Sequence, residues 1–105
     1  MVKKQIIKLL EKYVELLKTE GISVNKAFLF GSYSSDTATE ESDIDLMIVT
    51  SNADADNDFI VGKVWNLTRK VSTKIEPFLI GLDKFKNEDS SPLITSIKNK
   101  GIEIT

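Results

Sequence analysis

Phe28-Leu29-Phe30-Gly31-Ser32, then residues 33–42, then Asp43-Ile44-Asp45-Leu46-Met47-Ile48-Val49: the fold of this chain turns on that stretch. An apolar run enters a Gly-Ser turn, and a loop rich in Ser, Thr and Glu follows. Two aspartates one residue apart then head a second apolar run. Side chains on a strand alternate faces, so Asp43 and Asp45 point the same way. Two carboxylates side by side repel, and burying them ionised without a counter-charge is costly. A divalent cation resolves that conflict, and Mg2+ prefers a few carboxylates plus substrate phosphates to an all-protein cage. The Gly-Ser turn is the complementary half, because glycine lets backbone approach a ligand and free N–H groups favour phosphate. Together they are the equipment of a phosphoryl- or nucleotidyl-transfer site.

Before this stretch, Ile6, Leu9, Leu10, Tyr13 and Leu17 recur at spacings of three and four and predict a helix over residues 3–20. Gly21 is its expected stop. Residues 24–30 read as a strand that ends at Gly31. Ser32 is expected to cap a short helix over residues 33–36, with a loop over 37–42 whose Glu40 and Glu41 are solvated. Residues 43–50 are the second strand. Its unbroken apolar run from Leu46 to Val49 predicts burial on both faces, as in a sheet covered by helices.

Beyond it, residues 51–58 are polar and acidic and read as a loop carrying helix-capping residues. Val61, Val64, Trp65, Thr68 and Val71 line one side of a predicted helix over 58–73, with Trp65 as a core or partner anchor. Residues 74–81 form a third strand. Pro77 argues for an edge strand or a strand end, and Glu76, an acid in an apolar strand, breaks the local pattern in the way functional positions do. Asp83 is expected to cap a short turn through Lys86. Ser91-Pro92 starts a last helix carrying Leu93, Ile94 and Ile97, which stops at Gly101. Ile102 and Ile104 alternate as a short final strand.

A chain of 105 residues is expected to form a single domain over residues 1–105. No apolar run approaches the roughly 20 residues that span a bilayer, and no signal-peptide core is present, so a cytoplasmic location is expected. With neither cysteine nor histidine in the sequence, disulfides, thiolate metal sites, Ser-His triads and the common zinc sites are excluded. Acid–base and metal work falls to carboxylates. The formal net charge is -2 with no dense Lys/Arg block, which argues against nucleic acid as acceptor.

The Gly-Ser and Asp-Ile-Asp constellation resembles the polymerase-beta-like nucleotidyltransferases, in particular the minimal nucleotidyltransferase (MNT) proteins. Gly31, Ser32, Asp43 and Asp45 match that family's pattern directly, Ser42 and Leu46 fit its flanks, and the order of elements matches over nearly the whole chain. The resemblance implies an α+β fold (an α/β two-layer arrangement) with a small mixed β-sheet flanked by helices. It implies that Asp43 and Asp45 hold Mg2+ and that Gly31 and Ser32 hold the terminal phosphates of a nucleotide. It also implies a third carboxylate, here Glu76, that helps deprotonate the acceptor hydroxyl or completes a second metal site. Glu76 stands where the family more often has aspartate, and Tyr33-Ser34-Ser35-Asp36 where relatives often carry arginine. The implied activity is transfer of AMP from ATP to a hydroxyl of a partner protein, as an antitoxin paired with a HEPN-domain toxin. Two alternatives are a small-molecule nucleotidyltransferase of the aminoglycoside type and a binding module that acts by occupying its partner.

Overall fold

The computed structural model describes residues 3–87 and 91–105. Helix α1 (Lys3–Thr19) is followed by strand β1 (Lys26–Phe30), a 3-10 turn (Gly31–Tyr33) and strand β2 (Ile44–Thr50). Helices α2 (Asn52–Ala55) and α3 (Asp58–Leu67) lead through a second 3-10 turn (Thr68–Lys70) to strand β3 (Ile75–Gly81). Helices α4 (Leu82–Lys86) and α5 (Pro92–Lys100) and the short strand β4 (Ile102–Glu103) complete the order. The strands form one mixed sheet in the order β3-β2-β1-β4. β1 runs antiparallel to β2 and β4, whereas β2 and β3 are parallel. A parallel pair needs a crossover, and α2 with α3 supplies it. β3 is an edge strand, so the missing N–H of Pro77 breaks no inner ladder.

The doubly apolar reading of β2 holds. Ile44, Leu46 and Ile48 pack with α1 and α3 on one face, through Leu10, Tyr13, Leu17, Val64 and Leu67. Met47 and Val49 pack with Phe28, Phe85, Ile94 and Ile97 on the other, beneath α4 and α5. Leu46, Met47, Ile48 and Val49 are all fully buried. Helices therefore cover both faces of the sheet, so the small mixed sheet of this α+β fold is flanked by helices as expected, but in three layers and not the two expected. Among the described residues no helix is long and apolar enough to cross a membrane.

Several local expectations are corrected. β1 begins at Lys26, because residues 22–25 form an irregular entry in which the Asn25 N–H donates to the Val49 carbonyl at 2.8 Å. Residues 52–55 are helical: the Ser51 hydroxyl caps α2 by accepting from the Asp54 N–H. Ser32 caps nothing, since it lies inside the 3-10 turn, which starts after Phe30 without a side-chain cap. Asp83 lies within α4 and not at its N-cap, which is Gly81. The α-helix predicted to run to residue 73 stops at Leu67. There the Thr68 N–H turns to the Trp65 and Asn66 carbonyls, and the buried Tyr13 hydroxyl takes the Val64 carbonyl at 2.6 Å. Burial holds the Tyr13 phenol well above its ordinary pKa, so it stays a neutral donor. Trp65 is 46% exposed, which removes it from the core. By contrast, Ser91 caps α5 as expected, accepting from the Ile94 N–H at 3.3 Å, with Pro92 at the first turn.

Candidate active site

The parallel pairing of β2 and β3 decides the geometry of the acids. Asp45 pairs in register with Glu76, and two residues on Met47 pairs with Phe78. Asp43 stands one residue before β2 and shares the parity of Asp45. That parity is also the parity of Met47 and Val49, which face α4 and α5, while Glu76 shares the face of Ile80. Asp43, Asp45 and Glu76 thus meet on one face, at the end of the sheet where β2 and β3 begin. Asp43 and Glu76 are exposed and Asp45 is half-buried.

Their electrostatics follow from that placement. The Asp45 carboxyl is held above the ordinary carboxylate range, first by desolvation and then by the negative charge of Asp43, while Glu76 contributes a hydrogen bond that offsets part of the rise. Glu76 is raised too, by loss of hydration against the strand and then by Asp43 and Asp45, as charges and as hydrogen-bond partners. Carboxylates across a sheet rarely perturb one another unless their oxygens share one small volume. The ion pairs among the described residues, Lys3–Asp36, Lys26–Glu103 and Lys63–Glu20, all lie elsewhere. The cluster therefore carries uncompensated negative charge.

Gly31 closes the site from the β1 side. Its neighbour Phe30 pairs across the sheet with Asp45. Gly31 has φ +74°, and a Cβ on it would fall 2.2 Å from Asp45 Oδ2. No L-residue fits there without moving the carboxylate, so backbone and acid are in the closest contact available to them. Ser32 is half-buried in the same turn, and its carbonyl accepts from the Thr37 N–H at 2.9 Å. The Ser34 and Ser35 hydroxyls donate to the Gly31 carbonyl at 3.0 and 3.1 Å. The loop that follows is pinned at both ends. Asp36, at φ +61°, pairs with Lys3 of α1 at 2.6 Å, and the Lys74 ammonium donates to the Glu40 carbonyl beside the start of β3.

The donor chemistry suits a hard divalent cation: carboxylates from two paired strands on one face, excess negative charge and one open side. Among the described residues no three acidic side chains stand close enough together to hold a metal ion by themselves. Any Mg2+ here would therefore draw one or two carboxylates from the protein and the rest of its shell from water and substrate phosphates. The sequence reading missed the surroundings of the turn. Phe30, Gly31, Ser34 and Ser35 border a cavity of about 280 Å³ whose far wall is α5, with Leu93, Ile97 and Lys100. No local pattern announces that contact, because α5 lies some sixty residues further along the chain.

The family model described as "Polymerase beta, Nucleotidyltransferase" matches residues 4–105. The fold is similar to a crystal structure from Sulfolobus solfataricus described as that of "a putative nucleotidyltransferase". The TM-score is 0.62 at 18% identity, covering 80% of this chain and 74% of that one. At that identity the likeness speaks for the fold alone. No curated protein matches the sequence.

Proposed function

Because this chain belongs to the polymerase beta nucleotidyltransferase family, we propose that Asp43, Asp45 and Glu76 with the Gly31-Ser32 turn form a Mg2+-dependent nucleotidyltransferase site. The proposed reaction moves AMP from ATP to a hydroxyl on a partner protein. One observation carries this reading: acids from two strands meet beside a glycine whose backbone touches one of them.

In this reading Asp43 and Asp45 would hold the metal, and Glu76 would serve the acceptor hydroxyl or a second metal. When bound, Mg2+ neutralises the nucleotide phosphates and stabilises charge that builds at the α-phosphorus. The Gly31 backbone and the Ser32 hydroxyl orient the terminal phosphates. Glu76, exposed and raised in pKa, accepts the proton of the acceptor hydroxyl. The acceptor oxygen bonds to the α-phosphorus as the bond to pyrophosphate breaks. Positioning these partners in line is the main task left to the protein.

The openness of the acids supports an acceptor brought by another macromolecule. Both Asp43 and Glu76 are solvent-exposed, so a side chain on a second protein has free approach. The MNT-like order of elements makes a HEPN-domain toxin the proposed acceptor, with this chain as its antitoxin. Phe59, 77% exposed, and Trp65, 46% exposed, give α3 apolar surface for such a partner.

Calorimetry with ATP and Mg2+ tests the site. The wild type should bind, and Asp43→Asn should lose metal-dependent binding while keeping its far-UV circular dichroism spectrum. Binding that persists in Asp43→Asn, or that ignores Mg2+, refutes the assignment. Labelled ATP incubated with this protein and the protein encoded by the neighbouring gene tests the acceptor; a result with neither label transfer nor a complex would remove that partner.

A further inference from the structure

We propose that Lys100, at the last turn of α5, supplies the cation for the terminal phosphate of the nucleotide, which makes the cavity between α5 and the Gly31 turn a phosphate subsite. The inference rests on the nucleotidyltransferase reading and adds a residue to it. A triphosphate entering this site meets Asp43, Asp45 and Glu76, all acidic. Magnesium offsets part of that repulsion near the α-phosphorus, but the far end of the tail needs its own counter-charge. Residues 31–43 contain no lysine or arginine, so the turn can offer only neutral donors.

The tertiary structure brings a charge to that place. Lys100 lines the same cavity as Gly31, Ser34 and Ser35. Its position depends on the next residue. A Cβ at Gly101 would lie 2.6 Å from the Ile97 carbonyl oxygen and 3.3 Å from the Leu29 carbonyl oxygen. Only glycine lets α5 end this close to β1, directly beside Phe30 and Gly31. The neighbouring cation on α5 is used elsewhere: Lys98 Nζ sits 4.3 Å above the centre of the Phe85 ring. None of the ion pairs among the described residues involves Lys100. A lysine at a helix C-terminus gains something from the helix dipole wherever it points. That gain does not explain its place in the wall of a cavity that also contains the glycine turn and its two serines.

The other half of the cavity, formed by Phe30, Leu93 and Ile97, could instead take a base, and the two occupants give different results. Calorimetry with Mg2+ should compare ATP and inorganic tripolyphosphate on wild type, Lys100→Gln and Lys100→Arg, with circular dichroism to confirm folding. The loss of one charge-assisted contact predicts that Lys100→Gln weakens both ligands about tenfold or more, with Lys100→Arg near wild type. Unchanged ATP binding in Lys100→Gln overturns the subsite while leaving the nucleotidyltransferase reading intact. So does a loss of ATP affinity with tripolyphosphate affinity unchanged, which would place the base against α5. A wild type that binds neither ligand overturns both.

Discussion

Gly31→Ala is the sharpest test of how the site is built. Two costs are separable. An alanine at φ +74° pays the left-handed penalty of about 1–2 kcal/mol. Its Cβ would also start 2.2 Å from Asp45 Oδ2, about 0.8 Å inside the 3.0 Å that real Cβ contacts respect. Asp45 is half-buried, so its carboxylate can rotate aside, at about 0.5–1.5 kcal/mol for the off-rotamer side chain. Together the substitution should cost about 1.5–3.5 kcal/mol. In a domain of this size each kcal/mol lowers Tm by about 4–8 °C, so the loss is easily measured. Repeating Gly31→Ala in an Asp45→Ala background removes the clash and leaves only the backbone cost. The cycle, read by urea unfolding, should therefore give a coupling of about 0.5–1.5 kcal/mol. A Gly31→Ala cost that is the same in both backgrounds refutes the contact, and with it the claim that the turn and the acid form one unit.

The remaining predictions concern charge and packing. Asp45 and Glu76 both sit above their ordinary pKa, so the folded state binds protons more tightly than the unfolded one. Their contribution to stability is full below the ordinary carboxylate range and is lost as pH rises through the raised values. Thermal melts should show this decline as pH rises above the ordinary carboxylate range, and Asp45→Asn with Glu76→Gln should flatten it; an unchanged pH profile in that pair rejects the electrostatic account. Mg2+ should raise the Tm of the wild type at neutral pH and leave Asp43→Asn unmoved, by linkage of binding to folding. Tyr13→Phe strips the Val64 carbonyl of its donor at the end of α3 and should cost about 1–3 kcal/mol by urea unfolding; a loss below about 0.5 kcal/mol would mean that the carbonyl finds another partner.

The contrast between Asp45 and Lys100 shows where a linear reading stops. Asp43 and Asp45 declare themselves because their chemistry is local: a period of two, one apolar strand and a Gly-Ser turn upstream. Glu76 was legible as an anomaly, an acid in an apolar strand, but its partnership with Asp45 is a matter of β2–β3 register, which no residue in either strand spells out. Helix ends suffered for a similar reason. The periodicity of α3 runs on past Leu67, yet the α-helix ends there: the Thr68 N–H turns to the Trp65 and Asn66 carbonyls, and the Val64 carbonyl accepts from the hydroxyl of Tyr13, some fifty residues earlier. Trp65 keeps helical spacing yet is left half in solvent, because spacing sets a face and not the width of the surface it packs on.

Read alone, the sequence determined the order of the strands and of the longer helices, the double burial of β2 and the two aspartates beside a glycine turn. Each of these follows from short-range sterics and hydrophobic periodicity, which act over a few residues. Only the tertiary structure decided that Glu76 lies across from Asp45, that the Gly31 backbone lies against its carboxylate, and that α5 carries Lys100 to the same turn. Those juxtapositions arise from strand register and close packing between distant segments, energies that belong to pairs of surfaces and are written in neither segment by itself.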